Sequence, residues 1–197
     1  MAPVKTAVVT NSRHLTRTVK AQVVTLAASV GAGWSVFAAS SLLGGALLRF
    51  GIVPRTTDGL LGIPLAPFLH ANLNHLIANT VPFLIFAWLV MLRDRRHFGA
   101  VTLAAMLGSG VLAWSLGAPG SIHVGASGII FGYLGFLLLS GWYARSLSSI
   151  AISVLVAFAW GGTVLGVLPG TPGVSWQGHL GGFIGGVLAA RWYRSTR

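Results

Sequence analysis

The chain has 197 residues, 54% of them hydrophobic and 8% charged, and carries a formal net charge of +11. Soluble domains carry roughly a quarter charged residues, so this composition excludes an ordinary soluble protein and indicates a membrane protein. Cysteine is absent, which excludes disulfides and thiolate chemistry. Despite the basic excess, we expect no nucleic-acid partner, because the sequence leaves no soluble domain to carry a basic face.

Six long apolar stretches follow a basic tail at residues 1–20, which lacks the pattern of a cleavable signal peptide. Each stretch is about long enough to cross a bilayer. They cover approximately residues 22–48, 70–92, 98–117, 125–143, 147–168 and 176–193. The sequence therefore predicts an all-α polytopic membrane protein, in which residues 21–197 form one domain of six transmembrane helices.

Two of the connecting segments are rich in proline and glycine and are interpreted as loops. The first, over about 49–67, is longer than a simple connector, and long loops in compact proteins are often functional. The second is the turn-rich segment 168–173.

The basic residues orient the predicted bundle. Eleven of the 13 Lys and Arg residues lie in the tail, at 93–96, at Arg145 and near the C-terminal end, whereas Arg49 and Arg55 fall on the opposite side. The positive-inside rule then places both termini in the cytoplasm. We expect an integral protein of a bacterial plasma membrane, whose second, fourth and sixth spans begin at the outer face.

Polar residues gather at the outer ends of those three spans. Ser127 begins the fourth span, His179 lies near the start of the sixth, and His75 and Asn79 lie near the start of the second. Polar residues inside spans are costly and are functional candidates. A neutral histidine at the depth of Ser127 would supply the base that a serine nucleophile needs. A structural, hydrogen-bonded histidine is the alternative for His179.

Glycines surround both of these residues. They occur at 125, 128, 132 and 135 around Ser127, and at 178, 181, 182, 185 and 186 around His179. Faces of small residues let two membrane helices approach closely. We therefore expect the Ser127 hydroxyl to lie within hydrogen-bond reach of the His179 imidazole.

No third catalytic residue is expected. The two acidic residues, Asp58 and Asp94, lie in loops on opposite sides of the membrane, so a Ser-His dyad without a carboxylate is predicted. Packing or an aromatic neighbour can orient the imidazole instead. Phe131, one turn after Ser127, is placed to lie against the His179 ring, with ordinary helix or lipid packing as the alternative.

The second span supplies candidate groups for an oxyanion site. His75 and Asn79 are four residues apart and share one helix face. Their side chains, with the Ser127 backbone amide, could form an oxyanion hole; for Asn79 an interhelical hydrogen bond is the alternative. His70 is expected to cap the start of this helix.

A metal site is not expected. Three histidines in one layer could bind zinc, but the His-Glu-x-x-His pattern and an intramembrane carboxylate are both missing. No cofactor is predicted either. The remaining histidines, in the tail and loops, receive no role: His14, His97 and His123.

Taken together, these residues resemble the rhomboid intramembrane serine proteases over about residues 20–193. The resemblance rests on three motifs: His70-x4-His75-x3-Asn79, Gly125-Ala126-Ser127-Gly128 and His179-x2-Gly182. It implies that Ser127 is the nucleophile, that His179 is the general base, and that His75, Asn79 and the Ser127 amide bind the oxyanion. Gly125, Gly128, Phe131 and Gly182 would support the site.

Three departures accompany the resemblance. Phe131 stands where some members have tyrosine, and Gly178 stands where alanine is frequent. The first outer loop lacks the Trp-Arg pair of many members, so no loop role is transferred.

The resemblance implies an endopeptidase that hydrolyses peptide bonds of membrane-anchored substrates near the extracytoplasmic face. Its partners would be transmembrane proteins and membrane lipids, with segment 168–173 and the fifth span as lid and lateral gate; nothing indicates an oligomeric state. One alternative is a catalytically inactive rhomboid-like binder of transmembrane helices. Another is a small-solute transporter, which the lack of charged residues inside the spans disfavours.

Overall fold

The computed structural model describes residues 4–144 and 147–195, which contain seven α-helices. They are α1 (Val4–Leu42), α2 (Thr57–Leu65), α3 (Leu73–Asp94), α4 (Phe98–Leu116), α5 (Ser127–Ala144), α6 (Leu147–Trp160) and α7 (Trp176–Ser195). In this part of the chain the only extended pairing is an isolated bridge between Ile52 and His123. The all-α prediction is confirmed. Arg145 and Arg197, used above to orient the bundle, lie outside the described residues.

Helix α1 differs from the prediction at both ends. It begins at Val4, inside the segment interpreted as a tail, because no glycine or proline interrupts the chain between Pro3 and Gly31. It stops at Leu42, before the predicted end of the span, since Gly44 and Gly45 adopt left-handed backbone angles (φ 62° and 84°) that end a helix. A 3-10 helix, Ala46–Phe50, follows.

The segment predicted as a loop over about 49–67 contains a helix that the proline and glycine content obscured. Thr56 caps α2, and its Oγ1 accepts the Gly59 N–H at 3.0 Å. Pro64 lies inside this helix. Gly62 is buried where a Cβ would collide with the Gly51 backbone, so here the glycine permits close packing rather than marking a turn.

The predicted fifth span is divided into two kinds of helix. Helix α6 ends at Trp160, and a 3-10 helix continues over Gly161–Val167. Its three glycines, Gly161, Gly162 and Gly166, disfavour a continued α-helix. The Gly166 carbonyl of this 3-10 helix faces His179 of α7.

The apolar helices identify an integral membrane protein. Three segments are long and apolar enough to cross a membrane: Leu15–Leu42, Leu73–Arg93 and Arg95–Leu116. The apolar helices Ser127–Tyr143 and Ile150–Trp160 are shorter. On α4, the large apolar side chains Leu103, Leu107 and Val111 recur every four residues and are about half exposed, as expected of a helix face in lipid.

Helix α7 packs against α4 and α5 through its glycines. A Cβ added to any of four of them would collide with a backbone carbonyl of the neighbouring helix. The pairs are Gly182 with Gly128 and Gly186 with Gly132 on α5, and Gly181 with Gly108 and Gly185 with Ala104 on α4. The glycine-faced contact predicted between α5 and α7 is confirmed, and α4 is a further partner that the sequence reading missed.

Candidate active site

Ser127 and His179 lie at the starts of α5 and α7 and face each other. The His179 Nε2 and Ser127 Oγ atoms are 2.8 Å apart, the hydrogen-bond contact expected from the glycine pattern. On the other side of the ring, Nδ1 lies 2.9 Å from the Gly166 carbonyl oxygen. A carbonyl can only accept, so Nδ1 carries the proton. The neutral ring therefore presents Nε2 as the acceptor for the Ser127 hydroxyl.

The Gly166 carbonyl occupies the place where a carboxylate would orient a catalytic histidine. Sequence reasoning did not find this partner, because a backbone carbonyl has no signature of its own. The one indication of this contact in the sequence was the glycine at position 166 itself. A Cβ on Gly166 would lie 2.7 Å from Cζ of Phe131 and 3.6 Å from Nδ1 of His179, so a side chain there would disturb both rings.

The Phe131 ring stacks on the His179 imidazole. The ring centroids are 4.1 Å apart and the planes are inclined by 11°. Phe131 is buried, one turn after Ser127 on the same helix. The imidazole plane is thus fixed by a ring on its face and by hydrogen bonds at both nitrogens.

The glycines beside Ser127 allow close approach of two other elements. Gly125 has a φ of 111°, and its N–H donates to the Ala66 carbonyl at 2.8 Å. A Cβ at Gly125 would lie 2.6 Å from Nε2 of His75 and 3.5 Å from Nδ2 of Asn79. A Cβ at Gly128 would collide with the Ser109 side chain. Only glycine fits at either position without displacing a neighbour.

The contacts of Gly125 also bring the His75 and Asn79 side chains beside the segment that leads into Ser127. Asn79 is buried, and its Nδ2 donates to the His75 carbonyl of its own helix at 3.0 Å. The amide has a second hydrogen available for another acceptor. Donors from α3 and the start of α5 therefore converge on one side of the dyad.

His70 does not cap α3, contrary to the expectation from sequence. The capping residue is Asn72, whose Oδ1 accepts the His75 N–H at 2.9 Å. A short polar side chain just before the first turn can reach a free N–H, whereas His70 lies three residues before the helix. The His70 ring is buried, with its centroid 5.1 Å from that of His75.

An open cleft of about 790 Å³ leads to Ser127 and His179. Its volume is within the range of ligand sites, roughly 300–1,000 Å³. Its polar lining includes His75, Asn79, Ser121, His123, Ser127, Ser175 and His179. Gly173 and Val174 also line the cleft, so the exposed loop before α7 borders the entrance.

A second cavity, of about 30 Å³, also reaches Ser127 and His179. About 10–15 Å³ is enough to hold one water. Ser109 of α4 contributes to its lining, and the sequence reading had assigned this serine no role. Ser127 and His179 thus have a small cavity of mixed lining beside them in addition to the open cleft.

His123, which received no role from the sequence, also belongs to this region. Its Nδ1 lies 2.6 Å from the Ser175 Oγ, and its Nε2 lies 3.0 Å from the Ser121 Oγ. Burial lowers the pKa of the His123 imidazole below its ordinary value of 6.5, so the ring is neutral at pH 7. Within the described residues, no group of three His, Cys, Asp or Glu side chains is arranged to hold a metal ion.

Comparison with known proteins gives matches over most of the chain. The family model of the Rhomboid domain matches residues 58–196. An uncharacterized protein of Mycobacterium tuberculosis (strain ATCC 25618 / H37Rv) is 45% identical over 148 residues, 71% of this chain and 62% of that protein. An uncharacterized protein of Mycobacterium leprae (strain TN) is 46% identical over 142 residues, 68% of this chain and 56% of that protein.

A plant protein is more distantly similar. RHOMBOID-like protein 4 of Arabidopsis thaliana is 32% identical over 129 residues, 61% of this chain and 31% of that protein. The chain spans about three fifths of the length of the mycobacterial relatives that it matches.

Proposed function

The chain belongs to the rhomboid family of membrane proteins, and from this premise we propose that it is a serine endopeptidase that cleaves membrane-anchored proteins. The observation that carries the proposal is the 2.8 Å contact between Ser127 Oγ and His179 Nε2. A serine in a membrane helix commonly bonds its own backbone. Here its hydroxyl faces an imidazole whose other nitrogen is already committed to a carbonyl.

In the proposed reaction, Ser127 Oγ attacks the scissile carbonyl carbon while its proton passes to His179 Nε2. The imidazolium that forms keeps its Nδ1–H on the Gly166 carbonyl, which favours the charged ring. The new oxyanion is stabilised by the Ser127 N–H and by side-chain donors of His75 and Asn79. Collapse of the tetrahedral intermediate breaks the C–N bond, and His179 gives its proton to the leaving amine.

The acyl-enzyme is then hydrolysed by water. His179 Nε2 removes a proton from the water as its oxygen attacks the ester carbon, and the bond to Ser127 Oγ breaks with return of a proton to the serine. The small cavity that reaches both residues has room for such a water. A water held there would lie beside both residues of the proposed dyad.

The substrate proposed is an extended segment of a membrane-anchored protein. Peptide hydrolysis requires access to a backbone carbonyl, and a carbonyl inside a helix is already hydrogen-bonded to its own chain. A locally unwound segment would enter the cleft bordered by Gly173 and Val174. By the distribution of basic residues, this end of the bundle is extracytoplasmic, so cleavage would occur near the outer face.

Labelling with a fluorophosphonate tests this function directly, since the reagent needs only an activated serine. The purified wild type should form a covalent adduct that mass spectrometry maps to Ser127, and the Ser127→Ala and His179→Ala variants should remain unlabelled. Ser115→Ala is a matched control, because the Ser115 hydroxyl bonds the Val111 carbonyl of its own helix. An unlabelled wild type would favour an inactive rhomboid-like binder instead.

A further inference from the structure

The backbone at His123 is fixed on one side by Ile52, in the segment 49–67. His123 N–H donates to the Ile52 carbonyl at 2.9 Å, and Ile52 N–H donates to the His123 carbonyl at 3.0 Å. Gly117 packs beside the ring, since a Cβ there would lie 2.5 Å from Nε2 of His123. The side chain therefore projects from an anchored backbone within a confined space.

On the other side, His123 contacts the residue that begins α7. Ser175 immediately precedes this helix, and its Oγ accepts the Gly178 N–H at 3.3 Å, as an N-capping residue does. The Ser175 carbonyl accepts the His179 N–H at 3.0 Å. Ser175 thus holds the first turn of α7, the turn that carries His179, through both its side chain and its backbone.

The hydrogen bonds through His123 run in one direction. Ser121 Oγ gives its proton to the Ala118 carbonyl, so it can only accept from His123 Nε2, and Nδ1 is left to accept the Ser175 hydroxyl proton at 2.6 Å. The neutral ring then carries its proton on Nε2, which donates to Ser121 Oγ at 3.0 Å. Ser121 in turn donates to the Ala118 carbonyl at 2.7 Å. Every donor in this chain of bonds has an acceptor.

We propose that His123 is a positioning residue, which acts through Ser175 to hold His179 in contact with Ser127. This inference rests on the proposed protease function. The exposed loop 168–174 joins the Gly166 carbonyl, which orients the imidazole, to Ser175. His123 therefore ties the end of this loop, and with it the start of α7, to the segment that precedes Ser127.

A double-mutant cycle tests whether His123 acts through Ser175. His123→Phe keeps a ring but removes both nitrogens, and Ser175→Ala removes the hydroxyl. Each should lower the rate of fluorophosphonate labelling per folded molecule about tenfold, and the double variant should be no slower than the slower single variant. In substrate cleavage the loss should fall on kcat rather than KM. Additive effects, or unchanged labelling in His123→Phe, would overturn the proposal.

Two further variants separate positioning from general damage to the fold. Ser175→Thr retains a hydroxyl that can cap the helix and donate to Nδ1, so it should label within about twofold of wild type. Ser115→Ala should label as wild type does. If Ser175→Thr is as slow as Ser175→Ala, the hydroxyl is not the link.

Hydrogen exchange provides a readout that needs no activity. In His123→Phe, the amides of residues 176–180 should exchange faster than in wild type, while Ser127→Ala should leave them unchanged. If the wild type fails to label, the protease function fails, and faster exchange still establishes the tether. If the wild type labels but exchange in His123→Phe is unchanged, the role of His123 is refuted and the protease function stands.

Discussion

At the residue scale, the His179 imidazole is held on three sides. Nε2 meets Ser127 Oγ, Nδ1 meets the Gly166 carbonyl, and the Phe131 ring lies on its face. The two acidic residues of the chain lie in α2 and at the end of α3, whereas His179 lies in α7. A carbonyl is a weaker partner for a charged ring than a carboxylate is. The proposed dyad therefore depends on geometry more than on an opposing charge.

The proposed oxyanion donors lead to a prediction at the same scale. His75→Ala and Asn79→Ala should each lower kcat, by an amount on the order of 10²–10³ if each loses a full donor. Labelling at Ser127 should survive in part, because the base remains. Steady-state cleavage assays with the single and double variants measure this. Normal turnover in all three would mean that the oxyanion is bound elsewhere.

Sequence alone revealed much of this arrangement, and the exceptions share a cause. Ser127 and His179 were recognisable because a polar side chain inside a transmembrane span is costly and is therefore a functional candidate. The glycines around them predicted that their two helices approach closely. The Gly166 carbonyl, Ser109 and the His123 contacts were missed. Each depends on which distant segment of the chain packs beside the site, and such contacts leave no periodic pattern in the sequence. Proline and glycine in the segment 49–67 likewise obscured α2, whose stability comes from a cap and close packing.

At the element scale, the short 3-10 helix Gly161–Val167 connects α6 to the site. It carries the Gly166 carbonyl, which fixes the tautomer of His179. It packs there because Gly166 has no side chain, with Phe131 Cζ occupying the space that a Cβ would need. A change in this segment should therefore reach the dyad without altering a reacting group.

Substitution of two glycines in this segment tests that dependence. Gly166→Ala should displace Phe131 or the 3-10 helix and lower the rate of labelling by about tenfold or more, the effect expected when a strained contact misplaces a catalytic group by a fraction of an ångström. Gly162→Ala is the matched control, because a Cβ there meets no atom within 4 Å. Equal rates for the two variants would show that the segment does not position His179.

At the scale of the whole molecule, three helices bring the polar residues near their N-termini together. The N-terminal ends of α3, α5 and α7 bring His75, Ser127 and His179 to one cleft, and exposed apolar side chains line one face of α4. The arrangement combines a polar site with a surface suited to lipid. Its orientation in the membrane follows from the basic residues and stays a prediction.

Cysteine labelling in intact cells tests that orientation, and the cysteine-free chain gives no background. Ala118→Cys, at an exposed site between α4 and α5, should react with an impermeant maleimide added outside. Arg95→Cys, exposed between α3 and α4, should react only after the membrane is opened. The reverse pattern would place the cleft at the cytoplasmic face and move the predicted cleavage to that side.

The central claim, proteolysis inside the membrane by Ser127, is tested most directly by cleavage in liposomes. Purified protein would be reconstituted with a single-span substrate, and the products would be identified by mass spectrometry. The wild type should cut one peptide bond near the extracytoplasmic end of the substrate helix, and Ser127→Ala, folded and inserted equally, should leave the substrate intact. Cleavage by Ser127→Ala at the wild-type rate, or an intact substrate with the wild type, would contradict the account.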